Sequence, residues 1–134
     1  MLVLKKHINS AIYKNLSESL NSEKETDLSV DYFSLDTDSG IRLYRDDSSL
    51  SFSFFDDSLF IEIKDPANPV IRIDVNEVSE LNLLQYAIDL LVELFVHKNW
   101  HMSVSILSVS NLWGLAESYK NSSLDLSEDF PVLK

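Results

Sequence analysis

The side chains able to do chemistry in this sequence are turn carboxylates, three histidines, and a set of arginines and aromatics in alternating segments. Asp36/Asp38, Asp46/Asp47, Asp56/Asp57 and Asp65 recur about ten residues apart. Carboxylates in such rows can imitate phosphates toward a basic protein, or take a hard cation such as Ca²⁺. No EF-hand loop with its central Gly and terminal Glu accompanies them, which argues against calcium. Asp is also a favourable turn residue on its own account, because its side chain hydrogen-bonds the local backbone. Among the histidines, His97 and His101 are four apart and Glu93 is four before His97. An unbroken helix would set these on one edge, a spacing that suits zinc and a metal-dependent hydrolase. The HExxH order of metalloproteases is missing, no fourth ligand accompanies the set, and His7 is remote in sequence. The expectation is therefore no metal and no cofactor.

Catalysis has little else to work with. Cysteine is absent, so a thiolate nucleophile, a thiolate metal site and a disulfide framework are all impossible. No GxSxG elbow is present, and the two glycines, Gly40 and Gly114, cannot build a phosphate-cradling loop. Paired carboxylates exist, but in polar turns where nothing raises a pKa. The chain reads as a non-enzyme.

The elements that must position these groups follow from periodicity. Ile8, Ile12, Leu16 and Leu20 repeat every four residues and predict a first helix over 5–22. From Leu28 to Val75 the period becomes two, with Leu28-Val30-Tyr32, Ile41-Leu43, Leu50-Phe52-Phe54, Leu59-Ile61-Ile63 and Ile71-Ile73-Val75 each alternating with polar residues. Connections this short join antiparallel neighbours, so the simplest topology is a meander. Its polar face would carry Arg42, Tyr44, Phe55, Phe60, Glu62, Lys64, Arg72 and Asp74, the composition of a protein interface. Either a partner or one of the terminal helices would cover it.

Residues 77–100, above all 79–96, form a helix apolar on nearly every side, with Asn82, Gln85, Asp89 and Glu93 as one narrow polar strip. Four polar residues in its middle argue against a membrane span. Asn76 or Ser79 would cap it. Residues 103–110 alternate as a strand does, although Val104, Leu107 and Asn111 also keep helical spacing, and their serines and β-branched residues favour the strand. Asn111 would then cap a short last helix, and 121–134 is expected as a loosely held acidic tail. The fold class is α+β: one domain over 1–120, an antiparallel meander sheet of five or six strands packed on a central apolar helix, with an N-terminal helix and a short C-terminal one.

With 22 acidic residues against 11 basic, the net charge is −11. Such a field repels nucleic acid and anionic lipid and speeds encounter with basic proteins, while also serving solubility. The N-terminal sequence lacks the pattern of a secretory signal, which places the protein in the cytoplasm. The leading expectation is an acidic inhibitor that occludes a basic protein, such as an immunity protein against a nuclease toxin or a phage-type nucleic-acid mimic. Asp36, Asp38, Asp56 and Asp57 would make its contact, with Tyr44 and Phe60 as anchors. The alternative is an acidic dimer, like a secretion chaperone, that holds an extended client and pairs through the central helix.

Overall fold

The computed structural model describes residues 2–21, 28–34, 38–55, 58–75, 81–124 and 126. The elements run α1 (Leu2–Asn21), β1 (Ser29–Ser34), β2 (Asp38–Arg45), β3 (Ser48–Phe55), β4 (Ser58–Asp65), β5 (Asn68–Val75), α2 (Leu81–His97), α3 (Trp100–Ile106) and α4 (Val109–Lys120). The five strands form one sheet in the order β1-β2-β3-β4-β5, every pair antiparallel, as the alternation and short turns predict.

Register follows from the two turns whose residues are described. In the β2–β3 turn Asp46 takes φ 54°, a left-handed conformation that Asp tolerates better than most side chains. In the β4–β5 turn the Asp65 carboxylate accepts the Ala67 N–H at 3.1 Å, closing the loop over Pro66 and Ala67. These turns put Ile41, Leu43, Leu50, Phe52, Phe54, Leu59, Ile61, Ile63, Ile73 and Val75 on one face, all buried. Each fully buried Leu, Ile or Phe contributes about 1.5–3 kcal/mol relative to exposure.

That face shares a single core with Ile8 and Ile12 of α1, most of α2, Trp100 and Val104 of α3, and Leu112 and Ala116 of α4. α2 is the hub. Leu84, Ala87, Ile88, Leu90, Leu91, Val92, Leu94 and Phe95 have no exposure, because α1 and α4 both pack along α2 while the sheet covers its remaining apolar side. The surplus apolar surface of this helix is thus covered within the chain. Its C-terminal end is held by Arg45, whose Nη1 donates to the Phe95 carbonyl at 3.1 Å while the guanidinium lies 5.5 Å from the Phe95 ring centroid. A cation there suits the negative end of the helix dipole.

Three details differ from the sequence reading. Residues 103–110 are not a sixth strand: they belong to α3 and the start of α4. The serines that suggested a strand act as helix accessories instead. The Ser103 and Ser105 hydroxyls donate back to the carbonyls of Asn99 and Met102, and Ser108 caps α4. The cap of α4 is therefore Ser108, with Asn111 as its reciprocal partner in a capping box rather than the cap itself. Finally, α2 stops at His97 and Asn99 caps a new helix, so the edge expected to carry Glu93, His97 and His101 is broken. The caps proposed at Asn76 and Ser79 lie outside the described residues. Within the stretch after 120, Leu124 and Leu126 are partly buried against the core. No described helix is long and apolar enough to cross a membrane.

Candidate functional site

No described helix covers one face of the sheet. Its residues are those whose parity opposes the core: Arg42 and Tyr44 on β2, Ser49, Ser51, Ser53 and Phe55 on β3, Phe60, Glu62 and Lys64 on β4, and Arg72 and Asp74 on β5. The residues expected on the polar face are all there, and the described helices pack on the opposite one. Small serines on the central strand, flanked by longer side chains, leave a trough of about 830 Å³ lined by Arg42, Ser51, Ser53, Phe60, Glu62 and Arg72, among others.

Electrostatically this face is close to balanced. Asp31, Glu62 and Asp74 face Arg42, Lys64 and Arg72, and Asp38, paired with Phe55, opens β2 at a fourth acidic position of the same parity. Arg42 donates to Asp31 at 2.9 Å and lies 5.0 Å from the Tyr44 ring; Lys64 is 3.3 Å from Glu62; Arg72 lies 5.0 Å from the Phe60 ring. Acidic turns lie at both ends of the sheet: Asp46-Asp47 and Asp65 at one, and three longer acidic connections at the other. Strand ends 34, 38, 55, 58 and 75 fall at one end of the sheet, because Ser34 pairs with Ser39, Asp38 with Phe55, Phe55 with Ser58, and Leu59 with Val75. The connections leaving that end, with Asp38, carry Asp36, Asp38, Asp56, Asp57, Glu77 and Glu80 and no Lys or Arg.

The sequence-predicted contact residues divide accordingly. Asp36, Asp56 and Asp57 lie outside the described residues, and Asp38 opens β2, where its backbone position alone is described. Phe60 is near the same end, two residues into β4. Tyr44 is near the far end of β2, beneath Arg42, and does not join them.

Two histidine–carboxylate contacts were not legible from spacing, because each joins distant segments. His7 Nε2 faces two acceptors, Asp89 Oδ1 at 2.8 Å and the Gln85 carbonyl at 3.2 Å, so this nitrogen carries the proton. Together with the Tyr119 hydroxyl, which donates to Glu93 Oε2 at 2.6 Å, it accounts for two of the four residues in the polar strip of α2: Asp89 binds α1, and Glu93 binds α4. A small cavity of about 280 Å³ between these helices is lined by His7, Lys14, Asn15, Asp89, Glu93 and Tyr119, among others. At the opposite end of the molecule His101 Nδ1 is 2.9 Å from Asp65 Oδ2, which also accepts from Asn68 Nδ2 at 2.8 Å. Burial pushes the Asp65 carboxyl upward, but the hydrogen bonds from His101, Asn68 and Ala67 outweigh it and hold the group below its ordinary value. Glu93 and His101 are thus committed to different partners, and among the described residues no three His, Asp or Glu side chains are grouped to hold a metal. The signal in the sequence that points to these contacts is the polar strip itself, since a carboxylate on a covered helix needs a donor from whatever covers it.

No protein-family model, curated protein or solved structure matches the chain.

Proposed function

We propose that this is a non-catalytic binding protein that captures a basic protein partner and occludes it, with the acidic end of the sheet as its contact edge. The observation that supports this most directly is the acid in the three connections that leave one end of the sheet: Asp36, Asp56, Asp57, Glu77 and Glu80, with Asp38 beside them and no Lys or Arg. A concentrated negative edge on a rigid sheet steers a lysine- and arginine-rich surface into register, and like charge rejects acidic competitors. Asp36, Asp38, Asp56 and Asp57 supply the charge in this reading, and Phe60, near the same end, supplies apolar contact. The pairing through the central helix expected of a chaperone-like dimer has nothing in its favour here, because the apolar surface of α2 is already covered by α1, α4 and the sheet.

The test is capture from the native host at low salt on immobilised protein, beside a variant with Asp36, Asp38, Asp56 and Asp57 changed to Asn. The expected result is one basic protein retained by the native chain, released by salt, absent from the variant, and inhibited in its own activity when bound. Recovery of no basic protein, or binding indifferent to salt, would remove the proposal.

A further inference from the structure

One row of the open sheet face carries a charge pattern that is complementary to itself, while Asp74 lies in the next row, aligned with Phe60 and Ser53, and takes no part in it. Strand register aligns Asp31, Arg42, Ser51, Glu62 and Arg72 in one row across all five strands. All five line the same trough, so they project from the same side. Read from β1 to β5 the row is acid, base, neutral, acid, base. Read backwards, every sign is inverted.

We propose that a second copy of this chain docks on this face, related by a two-fold axis that runs along β3. Such an axis lays the row over its own reverse, with β2 of one copy above β4 of the other and β1 above β5. Arg42 then meets Glu62 of the second copy, Asp31 meets Arg72, and Ser51 lies on the axis. One pleat further along, where Tyr44, Ser49 and Lys64 are aligned, Lys64 comes over the Tyr44 ring of the second copy, a cation–π arrangement. The other two-fold available to stacked sheets, running across the strands at this row, sets Arg42 on Arg42 and Glu62 on Glu62. Like charges cost what unlike charges gain, so the row selects the first axis and rejects the second.

Geometry permits the contact. Strands lie about 4.8 Å apart and stacked sheets cross at about 30°, so twist displaces the inner Arg42–Glu62 contacts least and the outer ones most. The charged groups are available, with side-chain exposures of 50% for Arg42, 47% for Asp31, 50% for Lys64 and 34% for Glu62. Their intrachain ion pairs are exposed and weakly held, so little is lost when they turn to a partner. The face is five strands wide with most strands eight residues long, roughly 24 Å by 26 Å, on the scale of the ~800 Å² that each partner of a standard interface contributes. Because the serines of β3 sit low, two troughs meet on the axis as a polar channel, and the ridges on either side carry the contact. The interface is wet and charged: its ion pairs act at contact range against the repulsion between two chains of net charge −11, and salt weakens those pairs. It leaves the acidic connections open to another protein but takes up Phe60, which lines the same trough, so of the two roles given to that residue only one is available in the dimer.

Two variants decide the matter, Arg42→Glu and Glu62→Arg, measured by sedimentation velocity and light scattering at low salt. The native chain is expected to be dimeric and to dissociate as salt is raised. Each variant alone, folded by circular dichroism, opposes like charges twice across the axis and associates at least about tenfold more weakly. An equal mixture of the two restores both contacts and returns to the dimer. A native chain that stays monomeric, variants that pair as well as it does, or a mixture that does not recover would each overturn the proposal. A second measurement is independent of charge. The chain contains no cysteine, so Ser51→Cys introduces a single thiol, and a short bis-maleimide is expected to link two chains through it. Absence of that cross-link under conditions where the protein is dimeric would rule out the axis.

Discussion

Asp65 belongs to the turn acids that local chemistry explains, and it closes its turn, but its carboxylate also holds α3 to the sheet through His101. Its pKa is held below the ordinary carboxylate value of about 3.9. The sign of the linkage follows: the ionised form is favoured by folding, so its contribution is complete above that value and is lost as pH falls through the lower folded one. Asp65→Asn should cost about 2 kcal/mol at neutral pH, the scale for hydrogen bonds to a buried charge. Urea unfolding should also show a flatter decline below about pH 4 in the variant than in the native chain. Gly114 offers the opposite case. It is exposed inside α4, and a Cβ added there meets nothing within 4 Å. Gly114→Ala should raise stability by about 0.5–1 kcal/mol, read from the same unfolding curves. Spacing reveals Asp65 as a turn residue but not its partner, because His101 lies 36 positions away and reaches it only through tertiary packing.

At the scale of elements, the strands were the most legible part of the chain. Leu50, Phe52 and Phe54 can alternate with Ser49, Ser51 and Ser53 in one way only, and a slip by one residue would expose all three apolar side chains. The region after Trp100 was the least legible, because serine serves two purposes. In SVSILSVS its alternation imitates a half-exposed strand, while its hydroxyls cap and back-bond short helices. Ser108→Ala should therefore cost about 1 kcal/mol by removing one half of the capping box of α4. A strand at this position would show no such loss. Ile88→Ala tests the hub. With no exposure and neighbours packed around α2, the variant should lose about 2–5 kcal/mol, and its thermal midpoint should fall accordingly.

For the whole molecule, net charge suggests a basic partner but says nothing of where one would dock. Strand order decides which turns share an end of the meander: 35–37, 56–57 and 76–80 leave one end, 46–47 and 66–67 the other. Tyr44 and Phe60 looked equivalent in sequence, yet strand direction sends them toward opposite ends. A consequence of the order of elements concerns synthesis. Every strand pairs with its neighbour in sequence, so the hairpins need no distant segment to close, and such local topology favours rapid folding. The first helix must wait, because it packs on α2, some sixty residues downstream of its own end. Until the ribosome has released residue 97, the nascent ribbon presents a greasy underside that lacks α2, the hub of its cover. A chain cut at Val75 should therefore aggregate or be held by chaperones, whereas one that includes α2 should begin to settle.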